Sequence, residues 1–357
     1  MTYYLLFFVT SFFALLGNSK YRNLFFVVLI VILTIFAGTR LNIDNDYTMY
    51  FKKFRYIENN VKDFLNSENK FEWCMYIFPH FFILFFSNKV QVARFSILLF
   101  AVFGVSIKLI AIRKYAQFFF LSVILYTSNL FLMHEMTTIR AGVAAAIFLW
   151  SIGDLEDKNY KVFFTKLLLC FFFHSSSIVL IVAWLLLQIK INIRFLYVAI
   201  AVSFLSAILK INFLTLLLLD KVFPRVAVYL EMMEWMKEKE TNIFSFRLLF
   251  ALAFVILFAF FYQKLKEIKY FDILFRLHII SICLFFLLST SAQVFSIRTF
   301  ELLSVVQILL YPMIIFIFEP KSKFIGWLVI IAFSILQIVY LVDFADIYKP
   351  YKSWFLN

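Results

Sequence analysis

The sequence predicts an all-α protein that crosses a membrane many times. Hydrophobic residues make up 64% of the 357 positions and charged residues only 15%, more apolar surface than a soluble domain of this size can hide. The apolar stretches are continuous and do not alternate, which favours helices over a barrel. The Lys and Arg residues behind the formal charge of +13 fall in short turns between those stretches. That is the pattern of cytoplasmic loops, and it needs no nucleic-acid partner.

Taken in order, apolar segments fall at roughly 3–16, 24–38, 73–87, 90–111, 116–133, 139–153, 162–174, 175–189, 195–210, 243–262, 271–289, 302–318 and 324–341. Met1 to Leu16 lacks a basic start and a small-residue cleavage site, so the first segment is expected to be a retained span. Basic turns follow at Lys20 and Arg22, Arg113 and Lys114, Lys158 to Lys166, Lys190 to Arg194, Lys264 to Lys269, and Lys321 to Lys323. Their alternation is regular from residue 112 onward if 162–189 is two short segments meeting near His174. Were it one span, His174 would lie at mid-membrane. Between the first two basic turns the crossings must be even in number. Segment 73–87, short and interrupted by Pro79, is therefore expected to dip in and return or to lie along the interface.

The expectation is about twelve transmembrane helices with both termini outside, compatible with a GT-C-like architecture. The chain reads as one integral domain, residues 1–357, with outer-side loops at about 39–72 and 220–242. Tyr47, Tyr50, Phe51, Phe54, Ile57, Val61, Phe64 and Leu65 recur at helical spacing, the pattern of an amphipathic helix on the outer leaflet. Val226, Tyr229, Leu230, Met233 and Met236 repeat it more weakly. Cys74, Cys170 and Cys283 lie in apolar runs without CxxC spacing and read as core residues.

Ionisable groups in or beside spans are costly, and by default they mark functional positions. The stretch Thr39-Arg40-Leu41-Asn42-Ile43-Asp44-Asn45-Asp46-Tyr47 leaves the apolar run Leu24 to Gly38 directly. An arginine and two carboxylates at such a boundary suit a reaction on a polar group attached to a lipid. A hydrated loop with a snorkelling arginine is the alternative. Arg140 heads the small-residue run Ala141-Gly142-Val143-Ala144-Ala145-Ala146. Small residues let helices approach closely, which points Arg140 into the bundle unless it snorkels. His174 interrupts an apolar run and precedes Ser175, Ser176 and Ser177; it is a catalytic imidazole or a hydrogen-bonded structural one. Arg298 has Glu301 one turn later, where an i,i+3 salt bridge is the plain expectation. His80, His134 and His278 form no metal-ligand spacing, and no P-loop, GxGxxG or GxSxG occurs. No metal or cofactor is expected.

These residues resemble the EpsG-like branch of the Wzy-type O-antigen, capsule and exopolysaccharide polymerases. The resemblance rests on Arg40 with Asp46-Tyr47 and Tyr50, on Arg140 heading its small-residue helix, and on Phe173-His174-Ser175-Ser176. It is completed by Arg298 ahead of Phe300 and Tyr311-Pro312, and by Lys349-Pro350-Tyr351-Lys352. The chain departs from the family's pattern at Asn42 and Asp44, where glycine is common, and at Ala141, where glutamine is usual.

The resemblance implies a glycosyltransferase of the bacterial inner membrane that uses no nucleotide sugar. At the periplasmic face it would move a growing glycan from undecaprenyl pyrophosphate to a hydroxyl of the next lipid-linked oligosaccharide. Its partners would be that substrate, the bilayer, a chain-length regulator and a flippase. Guanidinium forks match phosphate oxygens, so Arg140 and Arg298, with Arg40 as a third, are the pyrophosphate candidates. Asp46 or His174 is the candidate general base. Asp44 and Tyr47 are candidate sugar contacts, with bystander loop charge as the alternative for Asp44. A lipid-linked oligosaccharide flippase, an O-antigen ligase or related lipid-sugar transferase, and a membrane acyltransferase are the competing readings.

Overall fold

Apolar runs that must satisfy their own backbone groups do so as helices, and the computed structural model is all-helical among the residues it describes. Those are residues 1–357 apart from 19, 45, 58–60, 62–71, 190, 219–220, 222–226, 229, 232–240, 292, 346 and 356–357. The helices used below are α1 (Thr2–Leu15), α2 (Arg22–Gly38), α3 (Tyr47–Arg55), α4 (Cys74–Ile83), α5 (Lys89–Tyr115) and α6 (Phe119–Leu125). They continue as α7 (Ile139–Trp150), α8 (Tyr160–Phe173), α9 (Val179–Gln188), α10 (Ile193–Ile208), α11 (Phe246–Phe260), α12 (Phe271–Leu288), α13 (Gln293–Ser304) and α14 (Lys323–Val339). Among the described residues five helices are long and apolar enough to cross a membrane: Lys89–Tyr115, Phe119–Thr137, Phe271–Leu288, Gln293–Phe318 and Lys323–Phe344.

The chain forms two compact units, one of Met1–Ser177 with Tyr311–Asn357 and one of Ile178–Leu310. In the first, α5 is the central element and packs against α2, α3, α4 and α7. It packs closely against α7, whose small residues Ala141, Gly142, Ala144, Ala145 and Ala146 are all buried. A methyl on Gly142 would overlap the carbonyl of His134. Cys74 and Cys170 are free thiols in the core.

The turns of this unit sort onto two ends. At one, Arg113 donates to Asn23 (2.6 Å), Tyr115 to the carbonyl of Trp150 (3.0 Å) and Lys166 to Asp154 (2.5 Å). At the other, the C-terminal segment runs antiparallel to residues 39–43. Leu41 N–H donates to the Lys352 carbonyl and Trp354 N–H to that of Thr39, each at 2.9 Å. Tyr351 stacks on Phe36 at 4.0 Å and donates to its carbonyl at 2.9 Å, and Tyr3 donates to the carbonyl of Lys349.

Helix α4 has ten residues, about 15 Å against a hydrocarbon core of roughly 30 Å. Phe78 packs on Phe100 and Phe103 of α5, whereas Phe82 and Phe86 pack on Phe95 nearer its start. The segment therefore runs back along the first half of α5 toward Lys89. Of the residues expected on the apolar face of α3, Tyr47, Tyr50 and Phe54 are buried, with Phe54 stacked on Phe100 of α5, whereas Phe51 and Ile57 are half-buried and Val61 is exposed. Phe64, Leu65 and most of the 220–242 pattern lie outside the described residues.

Deep in this unit, Lys108 of α5 pairs with Glu135, lies 3.2 Å from His134 Nδ1 and faces the ring of Tyr126, whose hydroxyl donates to Glu135 at 3.1 Å. Residues 126–137, which carry three of these groups, wind as a wide π-helix. Gly104 makes room, because a methyl there would overlap Glu135 Oε2.

In the second unit, α12 packs against α10, α11 and α13. Glu301 accepts from Arg247 of α11 at 2.7 Å, which replaces the expected pair with Arg298. A lone buried charge costs more than the pair contributes. Lys108→Met is thus expected to destabilise purified protein by about 3–5 kcal/mol, and Lys108→Met with Glu135→Leu by clearly less. Equal losses in thermal unfolding would show that the two charges do not act as a pair.

Candidate functional site

The site begins with a helix end. Helix α8 stops at Phe173, and His174 takes an extended backbone (φ −153°, ψ 115°) before residues 175–178 turn as a 3-10 helix. The break leaves the Ser175 N–H outside the helical ladder. That N–H donates to Glu72 Oε1 at 3.1 Å, and the Ser175 hydroxyl to the same oxygen at 3.0 Å. His174 Nδ1 lies 3.5 Å from it. The other oxygen, Oε2, is paired with Nη1 of Arg140.

Arg140 is the second residue of α7, where the positive end of the helix dipole adds to its own charge and favours an anion. Its guanidinium lies over the ring of Tyr50, 5.6 Å from the centroid, with Nε 3.5 Å from the hydroxyl. Tyr50 is held by stacking on Phe54, one helical turn along α3. The side chains of Arg140, Glu72 and His174 are 10%, 7% and 4% exposed, so their charges interact with little screening by water. Burial alone pushes the Glu72 carboxyl up. His174 Nδ1 close by, the Arg140 guanidinium and the Ser175 N–H together outweigh it and hold the group well below the usual carboxylate range.

Arg40 sits in a second, fully buried constellation. Its Nε donates to Asp44 Oδ2 at 3.1 Å, Nη1 to the Ala37 carbonyl at 2.7 Å and Nη2 to the Met136 carbonyl. Asp44 Oδ1 accepts from the N–H groups of Asp46 and Tyr47 at 3.0 and 2.8 Å, closing the first turn of α3. The guanidinium also faces the Tyr47 ring. Arg40 thus ties α2, the start of α3 and the chain just before α7 together, and α3 in turn carries Tyr50 to Arg140. Asp46 is half-buried at the entry to α3. Tyr47 is buried, and its hydroxyl has no hydrogen-bond partner among the described residues.

The structure therefore gathers Arg140 and His174, and joins to them Arg40, Asp44, Asp46 and Tyr47 through α3. Arg298 belongs to the second unit, half-buried on α13. Glu72 is the residue that sequence reasoning missed. Its only signal is an acid immediately ahead of an apolar run, and Glu68 nearby offers nearly the same one.

A many-helix membrane chain with a guanidinium, an imidazole and a carboxylate on one buried site has the groups of an enzyme or carrier for an anionic lipid. The EpsG family model matches residues 23–353, and the chain belongs to the EpsG family. Membership makes it a polysaccharide-polymerase-type membrane protein. Among curated proteins and solved structures, none matches the chain.

The lowered Glu72 carboxyl has a stability consequence with a definite sign. Its contribution is fully present above the unfolded value of about 4.3 and is lost as pH falls below it toward the folded value. The stability difference between wild type and Glu72→Gln should be largest near neutral pH and shrink on acidification below pH ~4. A difference that stays constant from neutral to acid would mean that the charge on Glu72 contributes nothing.

Proposed function

We propose that this chain polymerises lipid-linked oligosaccharides, moving the growing glycan from undecaprenyl pyrophosphate onto a hydroxyl of the next lipid-linked unit. The observation that carries this reading is the Arg140–Glu72–His174 cluster, recessed at the end of the first unit opposite its Lys- and Arg-rich turns. If those turns face the cytoplasm, the cluster faces the periplasmic side of the inner membrane. About twelve crossings in a GT-C-like arrangement fit that sidedness. The donor is activated by its own pyrophosphate, so no nucleotide is required. A chain-length regulator and a flippase are the partners such a reaction would need.

In this mechanism Arg140 holds the charge that develops on the departing pyrophosphate. His174, whose Nδ1 side faces Glu72, presents Nε2 to take the acceptor proton. Asp46 is the second candidate for that proton. The unpartnered Tyr47 hydroxyl is the candidate sugar contact. Arg40 and Asp44, whose charged atoms are occupied by one another and by backbone, serve as anchors for α3.

Arg140→Ala and His174→Ala should remain in the membrane and abolish long surface glycan, leaving single repeat units displayed outside. Normal chain lengths in both variants would refute these roles. Unextended units trapped on the cytoplasmic side of a strain lacking the chain would identify a flippase instead. Full-length polymer left untransferred to its final acceptor would identify a ligase. Arg40→Ala, by contrast, leaves Asp44 buried without its partner. It should lose about 3–5 kcal/mol of stability and deplete the protein itself; full protein levels with lost polymer would make Arg40 a substrate ligand.

A further inference from the structure

Resting on the reading above, the two oxygens of Glu72 raise a question that the reading does not answer. Arg140 is already paired, through Glu72 Oε2, in a place with little water to share. A pyrophosphate that takes Nη1 of that guanidinium displaces the carboxylate. Oε1, however, is held separately by the Ser175 N–H and hydroxyl and faces His174 Nδ1. Losing Arg140 therefore does not cast Glu72 loose.

We propose that Glu72 couples donor binding to acceptor activation, giving up Arg140 at Oε2 to the donor's pyrophosphate while Oε1 stays on Ser175 and against His174. A phosphate suits the vacated guanidinium, since it presents the same pair of acceptor oxygens as a carboxylate and more negative charge. While Arg140 shares Glu72, the carboxylate stabilises a protonated imidazole less than it would alone. Once the donor has drawn Arg140 away, a full negative charge lies against His174 Nδ1, and an imidazolium formed at Nε2 is stabilised. His174 thus becomes a competent base only when a donor is seated, and a sugar hydroxyl is not activated beforehand.

The step balances. The acceptor O–H proton passes to His174 Nε2, and the freed oxygen bonds to the anomeric carbon. The bond from that carbon to the pyrophosphate oxygen breaks with its electron pair on the leaving group, which Arg140 holds. His174 then releases its proton to water. Glu72 touches neither substrate and is a positioning residue.

The test uses the full chain in lipid nanodiscs, with farnesyl pyrophosphate as the binding probe, and surface-glycan length in cells. Arg140→Ala should lose probe binding. Glu72→Gln keeps the side-chain shape and removes the competing charge. It should bind the probe about tenfold more tightly than wild type, while its cells make little or no long glycan. A merely structural Glu72 predicts the opposite, weaker binding as Arg140 and His174 lose their support. Probe binding retained in Arg140→Ala removes the anion seat, and with it the proposed function as well as the coupling. Binding lost in Arg140→Ala but equal or weaker in Glu72→Gln leaves the seat standing and overturns the coupling alone. Tighter binding with glycan of normal length overturns it too. If Glu72→Gln does not fold, Glu72→Asp replaces it. One methylene shorter, it reaches Arg140 less well and should bind the probe a few-fold more tightly than wild type; equal or weaker binding overturns the coupling.

Discussion

One carboxylate, that of Glu72, receives a guanidinium on one oxygen and a serine and an imidazole on the other. Each partner is delivered by a different local device. The small residues of α7 bring Arg140 inward, the helix end at Phe173 turns out Ser175 and His174, and the entry to α4 carries Glu72 to meet them. Such a pair is a poor way to gain stability, because desolvating both charges offsets most of their attraction. Apolar residues of similar volume would hold the same helices together. That a membrane protein keeps these groups together in a nearly dry place is what points to chemistry on an anion.

Two arginines that look alike in the sequence have opposite characters in the fold. Arg40 lies where three chain segments meet, fully buried, with backbone carbonyls and Asp44 on all its nitrogens. Arg140 meets the Glu72 carboxylate and the Tyr50 ring, side-chain partners that a ligand can displace or share. The Lys108–Glu135 pair resembles Arg40 in this respect: charge enclosed by protein, ordering the π-helical run that leads into α7. Burial of charge alone therefore does not identify a site; replaceable partners do.

Much of the helical architecture was legible because its causes are local. Continuous apolar runs give helices, Ala and Gly give the α5–α7 seam, and His174 followed by serines marks the break that the structure places there. The match of Lys349 to Lys352 to a family element gained its meaning only from the fold, where this segment lies along residues 39–43. The ionic partners were not legible. Arg140 and Glu72 are 68 positions apart, Lys108 and Glu135 27, Arg247 and Glu301 54, and no periodicity reports pairings of that reach. The expected Arg298–Glu301 bridge failed for this reason, since local spacing proposed a partner that tertiary packing supplied from another helix. The apolar pattern of α3 likewise could not say which of its residues α5 would take, and Phe54 stacks on Phe100 there.

The central claim is that Arg140 exchanges a carboxylate for a lipid pyrophosphate. An experimental structure of the chain with farnesyl pyrophosphate bound tests it most directly. The account predicts phosphate oxygens on the Arg140 guanidinium, Glu72 Oε2 withdrawn from it, and Oε1 still on Ser175. Pyrophosphate seated elsewhere, with the Arg140–Glu72 pair intact, would contradict it.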